Sequence, residues 1–325
     1  MGFGMRIPEA ACAYPLIAPE CATPIATVTP RYRVQQLAYL GVGSLLVLLV
    51  TFKLAVLVTK RDRGQATQRN ILLLLLCAAV LLTTRAIDPL GLNNVLPYVL
   101  VVGMSDACTG CLETAIIVML MFWIRVMEGD VQEYSPRLLF VGGLSIAAAW
   151  VANVVFPILQ WYYWDTGDHV IERIKISTAL VITLLMTTTV SIYGWKIHRR
   201  LEDILDAASL EAPIDDYDYV LSTKNVLGQG ASPTLPLPLP PPSVRSYHGA
   251  CCLRSKMLET LVGLQLVAGF IFILQIYTIF RVETQNDSVV TCVMTGCTHA
   301  HMNVPIMPIA QVLGICAGVW IFRHV

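Results

Sequence analysis

The sequence predicts an all-α polytopic membrane protein, a bundle of seven transmembrane helices, and three observations carry that fold class. Seven apolar stretches, each near the length that crosses a bilayer, fill most of the 325 residues. Hydrophobic residues make up 56% of the chain and charged residues only 14%, and the charges gather between the stretches. A soluble domain has no use for so much apolar surface. A bilayer core about 30 Å thick offers backbone amides no water, so runs of about twenty residues must satisfy their hydrogen bonds internally, as helices too long to be barrel strands.

The spans read as residues 34–58, 70–87, 97–127, 138–161, 174–195, 257–280 and 304–322. Ahead of the first lies an N-terminal tail, residues 1–33, whose apolar segments are broken by proline, as in Ala13-Tyr14-Pro15-Leu16. It holds no continuous apolar h-region behind a basic start, so the first span is expected to do the targeting. The second span closes on Asp88-Pro89-Leu90-Gly91, a helix-stopping run. The third is near thirty residues, which predicts a tilt or an interfacial first turn. The fifth is expected to run on into the cytosol. Leu201, Ile204, Leu205 and Leu210 alternate with Glu202, Asp203 and Asp206 at helical spacing. Helices one to five thus occupy 34–195, a long loop 196–256, and helices six and seven 257–325.

Basic residues accumulate on the cytosolic side of membrane proteins. Of the 22 Lys and Arg, fourteen fall in the loops after spans one, three and five and at Arg323, and seven on the opposite side, with Lys53 left to snorkel from span one. The expected orientation places the N-terminus outside or lumenal and the C-terminus in the cytosol. Asn286-Asp287-Ser288 is a glycosylation sequon in the predicted outer loop between spans six and seven, which makes Asn286 a glycosylation candidate.

The cytosolic loop carries the acidic run Asp215-Asp216-Tyr217-Asp218-Tyr219 and then a proline-rich segment, 232–242, which is extended and unable to join a helix. It reads as a spacer, with docking to an SH3 or WW groove as the alternative. Cys251 and Cys252, beside Arg254 and Lys256 before span six, are palmitoylation candidates. Cys12, Cys21, Cys292 and Cys297 lie in the oxidising compartment and allow two disulfides by three pairings, Cys292–Cys297 being the local one. Cys297 is followed by His299 and His301, but the spacing is not that of a zinc site, and the disulfide is the expected state.

Ionisable residues inside a span are costly and mark function or internal pairing. Asp106, Thr109, Gly110 and Glu113 follow the i, i+3, i+4, i+7 spacing and put a polar stripe on one face of span three. Arg85, at the outer end of span two, is the expected counter-ion of Asp106 or Glu113, the alternative being that Arg85 and Asp106 are hydrated at the membrane surface. For Glu113, a structural hydrogen bond competes with a ligand or proton role. All six histidines sit in loops or at span ends, so paired haem ligands are missing. No phosphate loop or intramembrane Ser/His nucleophile pair is present either, so neither an enzyme nor a cofactor is expected, and a net charge of zero gives no nucleic-acid footprint.

Three segments resemble one seven-span family. They are Thr67-Gln68-Arg69 before a helix closing on Arg85-Ala86, the run from Thr114 to Phe122-Trp123 in span three, and Met307-Pro308 before an apolar run closing on Phe322-Arg323. Together they resemble the tobamovirus multiplication protein family of plants, and more distantly the related orphan-receptor-like proteins of animal lysosomes. The chain departs from that family in the Ile124-Arg125 after the Trp, in Ser105-Asp106 early in span three, and in its long proline-rich loop. The resemblance implies a receptor-like or scaffolding membrane protein of the vacuole or lysosome, with a small Arf-like GTPase or other trafficking factors as cytosolic partners. The alternatives are a divergent G-protein-coupled receptor and a small-solute or proton transporter using Glu113. The rhodopsin-type marks are absent: span three has no acidic-Arg-aromatic triplet, span six no proline, and span seven no Asn-Pro-x-x-Tyr run.

Overall fold

A computed structural model describes residues 12, 15–18, 20–29, 32–60, 66–128, 136–163, 170–210, 262–263, 265–278, 280, 295, 297 and 306–321. Seven helices are drawn on below: α1 (Tyr32–Lys60), α2 (Ala66–Thr84), α3 (Tyr98–Glu128), α4 (Pro136–Tyr163), α5 (Val170–Leu210), α6 (Gln265–Thr278) and α7 (Ile306–Ile321). The described residues are helical apart from short connecting segments and a single bridge between Leu16 and Pro24. Helices α1 to α5 are long and apolar enough to cross a membrane, and α6 and α7 are shorter apolar helices. Two compact units divide the chain, Met1–Val190 with Gly263–Val325, and Ser191–Val262.

Within the first unit the core lies where α1, α2, α3 and α7 meet. Leu46, Val50 and Leu57 of α1 pack with Leu72, Leu75, Ala78 and Leu82 of α2, with Cys108, Cys111 and Met119 of α3, and with Ile315 and Val319 of α7. Without a hydrophobic drive between helices in lipid, close backbone approach is what holds them, and small residues permit it. Gly43 is the clearest case: a Cβ there would come within 2.5 Å of Thr83 Oγ1 and 3.0 Å of its Cα. Large apolar side chains point outward instead, including Leu37, Leu48 and Phe52 of α1, Phe140 and Leu144 of α4, and Leu185 of α5. So much exposed apolar surface on successive helices is untenable in water and fits a multi-pass integral membrane protein.

The helix of span three is unbroken from Tyr98 to Glu128, and that of span five continues to Leu210. The α-helix of span two ends at Thr84, three residues earlier than expected, and the chain tightens into turns, Ala86 N–H to Thr83 O and Ile87 N–H to Thr84 O, before Asp88, which Pro89 keeps out of the helical conformation. A 3-10 turn over Pro89–Gly91 follows, with Gly91 at φ +65°. Asp88 organises this connection. Fully buried, its carboxylate accepts hydrogen bonds from Tyr32 Oη (2.8 Å) and from the backbone amides of Asn93 (3.0 Å), Val95 (3.0 Å) and Leu96 (3.3 Å). The N-terminal segment folds onto the same loop: Ala26 N–H donates to Leu92 O (3.2 Å), and a Cys12–Cys21 disulfide closes the segment ahead of it.

Candidate functional site

The polar stripe of α3 meets a different neighbour at each level. Seven residues of helix separate Asp106 from Glu113 by about 10 Å along the axis, enough for separate contacts. Nearer the N-terminus of α3, Asp106, 4% exposed, pairs with Lys175 of α5, Nζ to Oδ2 at 2.7 Å. The expected Arg85–Asp106 or Arg85–Glu113 ion pair is therefore not formed, and neither Arg85 nor Asp106 is hydrated at the surface, since both are buried. A long, flexible Lys side chain on α5 reaches the carboxylate that α2 was expected to serve.

Arg85, 3% exposed, instead sits among neutral groups. Its Nη1 donates to Ser105 Oγ (3.1 Å) and Gln311 Oε1 (3.3 Å), and its guanidinium lies 5.6 Å from the Tyr39 ring centre. Gln311 of α7 then donates from Nε2 to Ser105 O (2.8 Å) and Thr109 Oγ1 (3.1 Å). Arg85 thus ties α2, α3 and α7 together without a carboxylate partner among the described residues.

Two turns down, Glu113 meets α4. Asn153 Nδ2 donates to Glu113 Oε2 at 2.9 Å, and one turn from it Trp150 Nε1 donates to Thr114 Oγ1 at 3.1 Å. Gly110 lies against this contact, where a Cβ would meet Asn153 Nδ2 and the Trp150 ring at 3.4–3.5 Å, ordinary van der Waals distance. Among the described residues no cation stands within ion-pair distance of Glu113.

Glu113 also lines a cavity of about 170 Å³ among α2, α3, α5, α6 and α7. Its walls are chiefly apolar, with Leu75, Met119, Ile182 and Ile271 among them, and its polar groups include Thr109, Glu113, Thr183, Gln275 and Gln311. Gln275 of α6 is 6% exposed; its Nε2 donates to Thr183 Oγ1 of α5 (3.2 Å), while its Oε1 has no partner. An apolar chamber with a few convergent polar groups has the form of a small-molecule site. Its size is close to that of an engineered cavity, about 150 Å³, that admits benzene.

Of the residues singled out from the sequence, the structure gives Arg85, Asp106 and Glu113 separate interhelical partners and does not bring them together with one another. Cys12 and Cys21 are joined to each other. Cys297 is disulfide-bonded, and its partner lies outside the described residues, as do Cys292, Asn286, Cys251, Cys252, His299, His301 and the proline-rich segment 232–242. Lys175, Asn153, Gln275, Gln311 and Asp88 were not foreseen. Asn153, Gln275 and Gln311 were each a lone amide in an apolar run, a signal of interhelical bonding. Lys175 had been counted only as an outer-side basic residue, and Asp88 only as part of a turn.

No family model and no curated protein matches the chain. The resemblance in spans two, three and seven therefore stands on those segments themselves.

Proposed function

We propose that this chain is a non-enzymatic, receptor-like or scaffolding seven-helix membrane protein that recruits cytosolic trafficking or signalling partners. In this reading α6 and α7 belong to the sixth and seventh spans, the N-terminus is outside or lumenal, and the loop 196–256 is the cytosolic recruiting surface. The observation that carries the reading is the cavity and, with it, the helix that lines it. Ala179, Thr183 and Thr187 of α5 face the chamber, and the same helix continues without a break to Leu210. Occupancy of the chamber can bias a continuous helix, and a ligand shifts such an equilibrium only through contacts that differ between the two states. Location in the vacuolar or lysosomal membrane, and a small Arf-like GTPase as partner, follow from the family resemblance.

A proximity-labelling enzyme fused to the C-terminus of the full chain tests the proposal. The expected neighbours are small GTPases and trafficking factors on an endomembrane, lost when residues 211–250 are deleted from a protein that still reaches its membrane. A neighbour set rich in heterotrimeric G-protein subunits at the plasma membrane would favour the divergent coupled receptor. Neighbours indifferent to the deletion, together with solute or proton flux in liposomes of purified protein, would favour the transporter and refute the proposal.

A further inference from the structure

We infer that the chamber among α2, α3, α5, α6 and α7 takes a small organic ammonium ion, a positively charged amine on an apolar body about the size of a benzene ring. The inference rests on the reading of the chamber as a ligand site and names the chemistry that the site selects. Among the described residues Glu113 is the one ionisable group that lines it. Glu113 uses Oε2 to accept from Asn153, and Oε1 takes no hydrogen bond from the described residues. The amide donors are engaged, Gln311 Nε2 with Ser105 and Thr109 and Gln275 Nε2 with Thr183, and Thr109 Oγ1 donates to Ser105 O at 3.2 Å. A carboxylate guest would face Glu113 with like charge.

The two nearby cations do not answer this demand. Lys175 is committed to Asp106 at 2.7 Å, and Arg85 to Ser105 and Gln311. A carboxylate in an apolar chamber is stabilised by a paired cation, and here the guest supplies it. An ammonium can donate to Glu113 Oε1, while an apolar body fills the space beside Leu75, Met119 and Ile271. A cavity of about 170 Å³ suits a body of about the size of one benzene ring.

Benzylamine, benzyl alcohol and benzoate form a set of nearly equal shape that differs in charge, and their binding to the full chain in lipid nanodiscs can be measured by titration calorimetry and by the shift of melting temperature. Benzylamine should bind at least about tenfold tighter than benzyl alcohol, the order expected of one hydrogen bond to a charged group, and benzoate should not bind. Glu113→Gln keeps an acceptor for Asn153 and should bring benzylamine down to the level of the alcohol. Should that variant fail to purify folded, Glu113→Asp, which keeps the charge and draws it back by one methylene, should weaken benzylamine more than benzyl alcohol. Ala268→Phe, which fills the chamber from α6, should abolish binding of both. Benzylamine binding no tighter than benzyl alcohol, with both lost in Ala268→Phe, would overturn the ammonium assignment and leave the chamber a ligand site. Binding of every probe indifferent to Ala268→Phe, or no binding at all, would overturn both.

Discussion

Replacing Lys175 with Met strands the Asp106 carboxylate in the bundle, where its 2.7 Å partner is lost and its side chain is only 5% exposed. Breaking a buried pair from one side costs about 3–5 kcal/mol, because an uncompensated charge remains. The Lys175 side chain retains 16% exposure, so some water can follow the change and the lower end, about 3 kcal/mol, is expected. At about 2–4 °C per kcal/mol for a chain of this class, Lys175→Met should melt about 6–12 °C below wild type. Removing both charges, in Asp106→Asn/Lys175→Met, should recover most of that loss, since a neutral pair carries no desolvation penalty. Cys108 and Cys111 are buried in the core and report unfolding to a thiol-reactive dye, once the exposed Cys77 and Cys316, and Cys251 and Cys252 of the loop 196–256, are replaced by Ser. A Lys175→Met melt within 2 °C of the parent, or a double variant no more stable than the single, would refute the pairing. So would an Arg85→Met loss that Asp106→Asn relieves, since that would return Arg85 to the role of counter-ion.

Three further outcomes follow from the packing. Asp88→Ala removes the acceptor for one hydroxyl and three backbone amides and should destabilise by about 2–4 kcal/mol in the same melt, whereas Tyr32→Phe, which removes one of those bonds, should cost about 1–2 kcal/mol; equal effects would deny Asp88 its organising role. Gly43→Leu should cost about 1–3 kcal/mol by forcing α1 off Thr83, while Gly41→Ala, with nothing within 4 Å of its Cβ, should be neutral or stabilising by up to about 1 kcal/mol; the order of the two melting temperatures is the check. Cys12→Ser opens the disulfide to Cys21 and should lower stability by about 2–3 kcal/mol, the loop-closure value for a separation of 9, and mild reduction of the wild type should reproduce the shift at the outer segment without exposing Cys108.

The sequence by itself determined the helices and the membrane. Bilayer thickness sets a length for any apolar run, and backbone hydrogen bonding in lipid leaves helix as the answer, so α1 to α5 were legible as local facts, including the continuation of α5 to Leu210. The helical repeat also placed Asp106, Gly110 and Glu113 on one face of α3. The repeat is silent about which helix that face meets. Lys175 lies 69 residues from Asp106, Asn153 40 from Glu113, and Gln311 226 from Arg85. Such pairings depend on which small residues let which helices approach, and on how far a flexible side chain reaches across the gap. Arg85 was the expected counter-ion of Asp106 or Glu113, and tertiary packing gave the first to Lys175 and the second to Asn153. The chamber arises only where five helices converge, because the Glu113 side chain comes to face chiefly apolar walls from four other helices through packing that no single helix encodes.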